Sequence, residues 1–526
     1  DMNIRPLGKR ILVKKVKEEE VRKSGIVLPG KTGEDQPITG EVVAIGKEIE
    51  DIKVGDKGVA IFGDNAGYGD SDISNTGTIT IGSEATGIYA KNYTTKDVKN
   101  NGIITINGSK SSGMAFAPGN LTGTTTVFEN VGTIQDKNSG SNNTGMFAKK
   151  ATSGAYDTIN SGTITLGDSS SLGNPSVGMY TNTSVTGTNP LKNIGTIKVG
   201  KNGIGLYGYE ETTTGNVTVG DSGIALYSQG GDVNIGSSTT NPTIKVGDTN
   251  ATAVYTTGSG QNVTSTKANY DIGTESYGFV NKGTGNTLNI SGGTATLKDK
   301  GVFVYSNDTT GNITNSNPIS STGTIGSNIG VYSAGTVNNS GNISFTGGTG
   351  NVGVYVIDNG TITNSGKINV GASTTANRSI GAVANTGTIN NTGNIVVNGQ
   401  YGLGLYSTGA TSTIHNGANI TLTGDETIGA YGANGSNINL TSGTIASTGN
   451  KTTGYYLGGG TASTIASGAK INVTGNEANG VYVNSGANLT YAGETKVTGD
   501  AAYGLIVDGS STVNATGGKV TIGGTS

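Results

Sequence analysis

The chain has 526 residues and a formal charge of −3, so its overall electrostatics point neither to nucleic acid nor to an anionic membrane surface. It contains no cysteine, which excludes disulfides, zinc ribbons and thiol catalysis, and no apolar run approaches the ~18 residues that a membrane helix needs. The average hides a division: 23 of the first 57 residues are charged against 46 of the remaining 469, whereas 85 of the 92 glycines follow residue 57.

In the charged segment, "RILVKKVK" (residues 10–17) and "ITGEVVAIGK" (residues 38–47) read as strands. Between them, "EEEVRKSGIVLPGKTGEDQP" is polar and turn-rich except for Ile26, Val27 and Leu28. Such a tripeptide either tucks onto its own barrel or is held out to fill a partner's groove, ordering on binding. The same loop contains "GIVLPGKT", Gly25 to Thr32, which satisfies a phosphate-binding pattern. That pattern requires a helix to follow and point its amides at phosphate. "GEDQPITG" follows instead, so no nucleotide site is expected.

"NIRPLGKRILVKK" (residues 3–15), "SGIVLPG" (residues 24–30) and "TGEVVAIGKEIEDIKVGDK" (residues 39–57) occur in one order. In that order they resemble the N-terminal half of GroES-type co-chaperonins, the chaperonin-10 family; Lys9 departs from the acidic or amide residue usual there. The resemblance covers residues 1–57. It implies a GroES-like β-barrel segment and a cytoplasmic partner, the large subunit of a GroEL-type chaperonin. In that reading Ile26, Val27 and Leu28 dock into an apolar groove of the chaperonin ring and Gly25 supplies the bend. Burying three such side chains contributes roughly 6 kcal/mol gross per loop, much of it offset by ordering the loop. No residues that would complete the family's barrel are recognised after Lys57, so the segment reads as a truncated barrel without a working lid.

From Gly58 onward two modules alternate. One is an Asn-x-Gly turn feeding a short strand, as in "NTGTITIG" at 75–82, "NSGTITLG" at 160–167 and "NSGKINVG" at 364–371. The other is a glycine followed by apolar and aromatic residues, as in "GIYA" at 87, "GMFA" at 145, "GVYS" at 330 and "GVYV" at 353 and 480. A period of about 26 residues with short strands is the pattern of a β-solenoid. The fold class expected is therefore all-β: a long, right-handed parallel β-solenoid of roughly 18 coils over residues 58–526, preceded by the truncated GroES-like segment 1–57. At ~4.8 Å per coil such a rod is about 85 Å long.

Within "TITI" at 78–81, Ile79 and Ile81 are expected to point inward and Thr78 and Thr80 to water. The tyrosines are likewise expected to face inward, the glycines to supply positive φ at corners, and the asparagines to stack in ladders. One coil buries apolar side chains worth about 10 kcal/mol, less than the roughly 1–1.5 kcal/mol per residue needed to order it. Each coil therefore needs neighbours.

Chemistry is sparse in this region. His415 is the only histidine and falls at a repeat position otherwise filled by polar residues. "GIGLYG" at 203–208 and "GTGNVG" at 348–353 match a dinucleotide-binding pattern without the helix that it requires, and read as solenoid corners. Acids are scattered, as in "GYEETT" at 208–213, unlike the clustered carboxylates of polysaccharide-cleaving β-helices. No enzyme activity, cofactor, metal site or catalytic residue is expected.

The alternating "GTITIG" and "GVYV" coils resemble the passenger domains of large, fusobacterial-type autotransporter adhesins of Gram-negative bacteria. That resemblance implies export through the outer membrane, a cell-surface location and ligands on host or bacterial surfaces. The first ten residues lack the apolar core of a secretory signal, and the sequence reads as an interior fragment of such a passenger. With one segment resembling a cytosolic family and the other an exported one, the chain is expected to be a chimera.

Overall fold

A computed structural model of the chain describes residues 58–64, 72–121, 126–137, 142–184 and 189–524. It divides into two units, Asp1–Asn269 and Tyr270–Ser526. Every regular element among the described residues is a β-strand of three to six residues.

Within each unit, each coil contributes one strand to each of three sheets, and strands pair in parallel with their counterparts one coil later. In the first unit, Thr86–Lys91, Val98–Asn100 and Ile103–Ile106 make one coil; they pair with the strands Ser112–Ala117, Val127–Asn130 and Thr133–Asp136. In the second unit, Ile329–Ser333, Thr336–Asn339 and Ile343–Phe345 pair with Val352–Val356, Thr361–Asn364 and Ile368–Gly371. Among the described residues the first-sheet position is filled by 8 strands in the first unit and 10 in the second, 18 in all, the number of coils that the spacing predicted. The earliest, Val59–Asp64, already pairs in register with Thr86–Lys91.

The third sheet shows the expected alternation. Ile79 and Ile81 are buried while Thr78 and Thr80 are exposed. The second sheet carries the asparagine ladder. In the first unit Asn75 Nδ2 donates to Asn100 Oδ1 (2.7 Å), Asn100 to Asn130, Asn130 to Asn160 and Asn160 to Asn193 (2.8 Å each). Asn193 then donates to the Thr213 hydroxyl, which ends the run. The second unit repeats the device through Asn315, Asn339, Asn364, Asn391 and Asn416 at 2.7–2.8 Å. Each of these amides also donates to the carbonyl two residues on, as Asn364 does to Gly366 at 2.9 Å. In the first unit those carbonyls also accept a backbone N–H from the next coil, as Gly102 does from Thr133 at 2.9 Å, so there the ladder adds its amides to the inter-coil backbone pairing of the turns.

The motif glycines have a different role from the one expected. The left-handed corner between the third and first sheets is taken by residues such as Ser222, Glu275, Lys300, Glu426 and Lys451, with φ of 54–55°. The glycines are needed for close approach. A Cβ on Gly366 would collide with the carbonyl of Gly341 one coil earlier. In the Gly-x-Tyr module, a Cβ on Gly330 would lie 2.6 Å from the Gly353 carbonyl oxygen and 2.8 Å from the Ile343 Cδ1. The missing side chain lets the first sheet settle onto the isoleucines of the third, which is why the two modules occur together.

Many of the tyrosines also depart from expectation. In "GVYS" the inward residues are Val331 and Ser333, both fully buried, and Tyr332 between them is only partly covered. The pleat turns Tyr332 away from Val331 and Ser333, and it lines the outside of the first sheet with Tyr305, Tyr355, Tyr406, Tyr431, Tyr456 and Tyr482, whereas Tyr93, Tyr270, Tyr455 and Tyr491 are buried as expected.

One core position breaks the apolar pattern. Glu211 lies in register between Leu191 and Val233 and is fully buried. Neither carboxyl oxygen has a hydrogen-bond partner among the described residues. Burial pushes its pKa well above the usual carboxylate range, and the nearby Gly208 backbone offsets only part of this. Burial thus favours the protonated form of Glu211 in the folded chain.

Two outcomes test this packing. Replacing Asn364 by leucine removes the donor to Asn391 Oδ1 and to the Gly366 carbonyl, and should cost about 1–3 kcal/mol. Because solenoid coils couple mainly to their neighbours, hydrogen exchange should speed up in residues 339–391 and stay unchanged in distant coils of the same unit. For Glu211, the folded pKa lies above the unfolded one, so stability is fully present below about pH 4.3 and falls as pH rises toward the folded value. Thermal melting of Glu211→Leu against the parent chain should show the variant more stable at neutral pH, with the gap closing as pH falls to 4.

Candidate functional surface

An organised surface lies on the outer face of the first sheet. In the first unit Val177, Ile204 and Ile224 run beside Tyr180, Tyr207 and Tyr227 and pack against them, and of these only Ile224 and Tyr227 are not buried. In the second unit Val302, Ile329 and Val352 run beside Tyr305, Tyr332 and Tyr355. Parallel in-register pairing brings like residues onto like one coil apart, and aromatic ladders result. Ring centroids are 5.2 Å apart for Tyr305–Tyr332 and 5.1 Å for Tyr332–Tyr355. A second run, Tyr406, Tyr431, Tyr456 and Tyr482, is spaced at 5.4, 4.9 and 5.2 Å. Val383 stands between the two runs, in register with Tyr355 on one side and Tyr406 on the other.

Burial, and then the neighbouring phenols, push the pKa of Tyr227, Tyr332 and Tyr431 up, so these hydroxyls stay protonated at neutral pH and can donate hydrogen bonds. Where the rings stack, as Tyr305 and Tyr332 do with parallel planes, each covers its neighbour's face. Edges and hydroxyls are what such a ladder offers to a partner. Sequence reasoning placed these rings in the core; the signal it overlooked is that the residue after the tyrosine also takes an inward position, as Ser306, Ser333 and Val356 do, all fully buried.

His415 occupies the outward position between the buried Ile414 and Asn416, in register with Asn390 and Asn439, and its Nδ1 lies 3.3 Å from Asn439 Nδ2. It is the polar repeat position that the sequence suggested, on a strand face. "GIGLYG" lies largely within the strand Ile204–Gly208, and "GTGNVG" forms a corner, with φ of 70° at Gly348 and Gly350, that enters the strand Val352–Val356. Of "GYEETT", Glu211 proves to be a core residue; its alignment with Leu191 and Val233 was the available signal. A second buried carboxylate, Asp308, is fully used: burial works against its charge, but it accepts from the Asn286 and Thr310 backbone amides and the Thr310 hydroxyl at 2.8–3.0 Å, which holds its pKa low. Among the described residues no group of three or more His, Cys, Asp or Glu could hold a metal ion, and no helix is long and apolar enough to cross a membrane. Gly25, Ile26, Val27 and Leu28, with the rest of residues 1–57, lie outside the described residues.

Comparison with known proteins bears on that segment. The family described as "Chaperonin 10 Kd subunit" matches residues 3–77. The co-chaperonin GroES of Campylobacter lari is 55% identical over 56 residues, 11% of this chain and 64% of the relative; the chain thus spans somewhat less than two thirds of that relative's length. The co-chaperonin GroES of Campylobacter jejuni is 50% identical over 72 residues, 14% of this chain and 77% of the relative. That of Campylobacter curvus is 45% identical over 73 residues, 14% of this chain and 78% of the relative. No solved structure matches the chain. The family match runs on past Lys57, so residues 58–77 carry family sequence and also supply solenoid strands, beginning with Val59–Asp64. Through residues 3–77 the chain belongs to the chaperonin-10 (GroES) family, and it joins that segment to a parallel β-solenoid.

Proposed function

We propose that the chain is a non-enzymatic binding scaffold, a solenoid passenger of the autotransporter-adhesin kind that contacts host or bacterial cell surfaces and carries a partial co-chaperonin segment. The observation that carries this reading is the repetition of one outward face from coil to coil, seen in the tyrosine run from Tyr406 to Tyr482. A surface repeated at coil spacing suits many weak contacts acting together, and it requires no cofactor or metal. At the cell surface such a scaffold acts by display.

The family match favours a second reading. In it the N-terminal segment acts in the cytoplasm as a co-chaperonin, with Gly25, Ile26, Val27 and Leu28 engaging a GroEL-type chaperonin large subunit during ATP-dependent folding. The two readings separate with the full-length chain. Binding to bacterial or host cells that survives Ile26→Ser supports the scaffold reading. Capture by an ATP-loaded chaperonin ring supports the second, and Ile26→Ser should then weaken it roughly 30-fold per loop, the equivalent of one buried isoleucine at about 2 kcal/mol. A chain that binds cells no better than an unrelated protein of similar composition contradicts the scaffold reading.

A further inference from the structure

The tyrosine ladders of the second unit place phenols one coil apart in fixed register on a partly solvent-exposed face. Tyr305 and Tyr332 stack with parallel planes and centroids 5.2 Å apart, and Tyr332 and Tyr355 lie at 5.1 Å, tilted by 33°. Tyr406, Tyr431, Tyr456 and Tyr482 continue the pattern at 4.9–5.4 Å. Sheet pairing on either side of each ring holds these distances, as in Val331↔Val354 and Ser333↔Val356 around Tyr332. Pairs further along the chain are kept apart: Tyr355 and Tyr406 are two coils apart with Val383 between them.

We infer that these ladders are sites of oxidative cross-linking, at which a peroxide-driven one-electron oxidant joins tyrosines of successive coils as dityrosine. Each of two neighbouring phenols gives up one electron and its hydroxyl proton, which leaves radicals with spin density on the ring carbons ortho to oxygen (Cε). The two radicals combine in a Cε–Cε bond. Each of those carbons then passes its hydrogen to the phenolic oxygen, restoring both rings. Two tyrosines thus lose two protons and two electrons in all, and one hydrogen peroxide accepts them to give two waters. A radical on Tyr332 has a partner within ring contact on both sides, so coupling inside the chain outruns encounter with another chain. Every bond closes a loop that spans one coil, 27 residues for Tyr305–Tyr332 and 23 for Tyr332–Tyr355, and so ties neighbouring coils together. In the first unit Tyr180 and Tyr207 stack at 5.3 Å but are only 5% and 6% exposed, which shields them from a protein oxidant and makes them an internal comparison.

The test treats the full-length chain with hydrogen peroxide and a haem peroxidase at several protein concentrations, follows dityrosine fluorescence, and maps joined peptides by mass spectrometry. The expected result is a rate independent of protein concentration, with bonds Tyr305–Tyr332, Tyr332–Tyr355, Tyr406–Tyr431, Tyr431–Tyr456 and Tyr456–Tyr482 in the second unit, Tyr227–Tyr255 (5.1 Å, both partly covered) in the first, and none joining Tyr355 to Tyr406. Tyr332→Phe should abolish the first two and leave the second run intact; Tyr431→Phe should spare the first run and leave only Tyr456–Tyr482 in the second. Bonds that form only between chains, bonds joining tyrosines more than one coil apart, or consumption of tyrosine without dityrosine would overturn the proposal.

Discussion

Stacking in register is the constraint from which the other features of the solenoid descend. A strand of three to six residues buries too little to stand alone, so each coil is held by hydrogen bonds to the coils above and below. Parallel pairing without a register shift places chemically equivalent residues directly over one another. Whatever a coil puts at a given position is therefore repeated as a row, and the row must be tolerable. Isoleucine and valine rows make the core of the third sheet. Asparagine rows chain their amides through the second. Tyrosine rows line the outside of the first.

Glycine is what lets these rows approach closely. In the Asn-x-Gly turn the backbone of one coil lies where a Cβ of the next would stand, as Gly366 does over Gly341. In the Gly-x-Tyr strand the glycine opens space for an isoleucine of the third sheet, as Gly330 does for Ile343. Glycine takes some left-handed corners, such as Gly348 and Gly350, but many between the third and first sheets are filled by serine, glutamate and lysine. There the side chain projects into water, and positive φ costs only about 1–2 kcal/mol. Some corners also place opposite charges on successive coils, as Lys300 with Glu275 at 2.6 Å. At such exposure the pair contributes little to stability.

Much of this was legible in the residues. Alternation in "TITI" fixed the inward Ile79 and Ile81, because period-two patterning with one apolar face leaves no second choice. The recurrent asparagine before a turn announced the ladder. Other features could not be read the same way. The orientation of Tyr332 depends on Gly330 and Val331 both serving the inner side of one strand, an irregularity that simple alternation does not encode. The burial of Glu211 depends on which coil it is stacked between, which appears only once Leu191 and Val233 are aligned with it. For the segment that carries Ile26, Val27 and Leu28, family membership rests on sequence, and its continuation to residue 77 was hidden because Val59–Asp64 also satisfies the solenoid pattern.

The central claim is that neighbouring coils pair in parallel with fixed register, and the absence of native cysteine makes it directly measurable. Ser320 and Ser344 are register partners on the third sheet, one coil apart at a Cα separation of about 4.8 Å, within disulfide reach. In the full-length chain carrying Ser320→Cys and Ser344→Cys, mild oxidation under native conditions should close an intramolecular disulfide rapidly and nearly completely, whereas Ser320→Cys with Ser365→Cys, two coils away, should retain free thiols. Equal, slow closure of both pairs, or closure only after unfolding, would contradict the account.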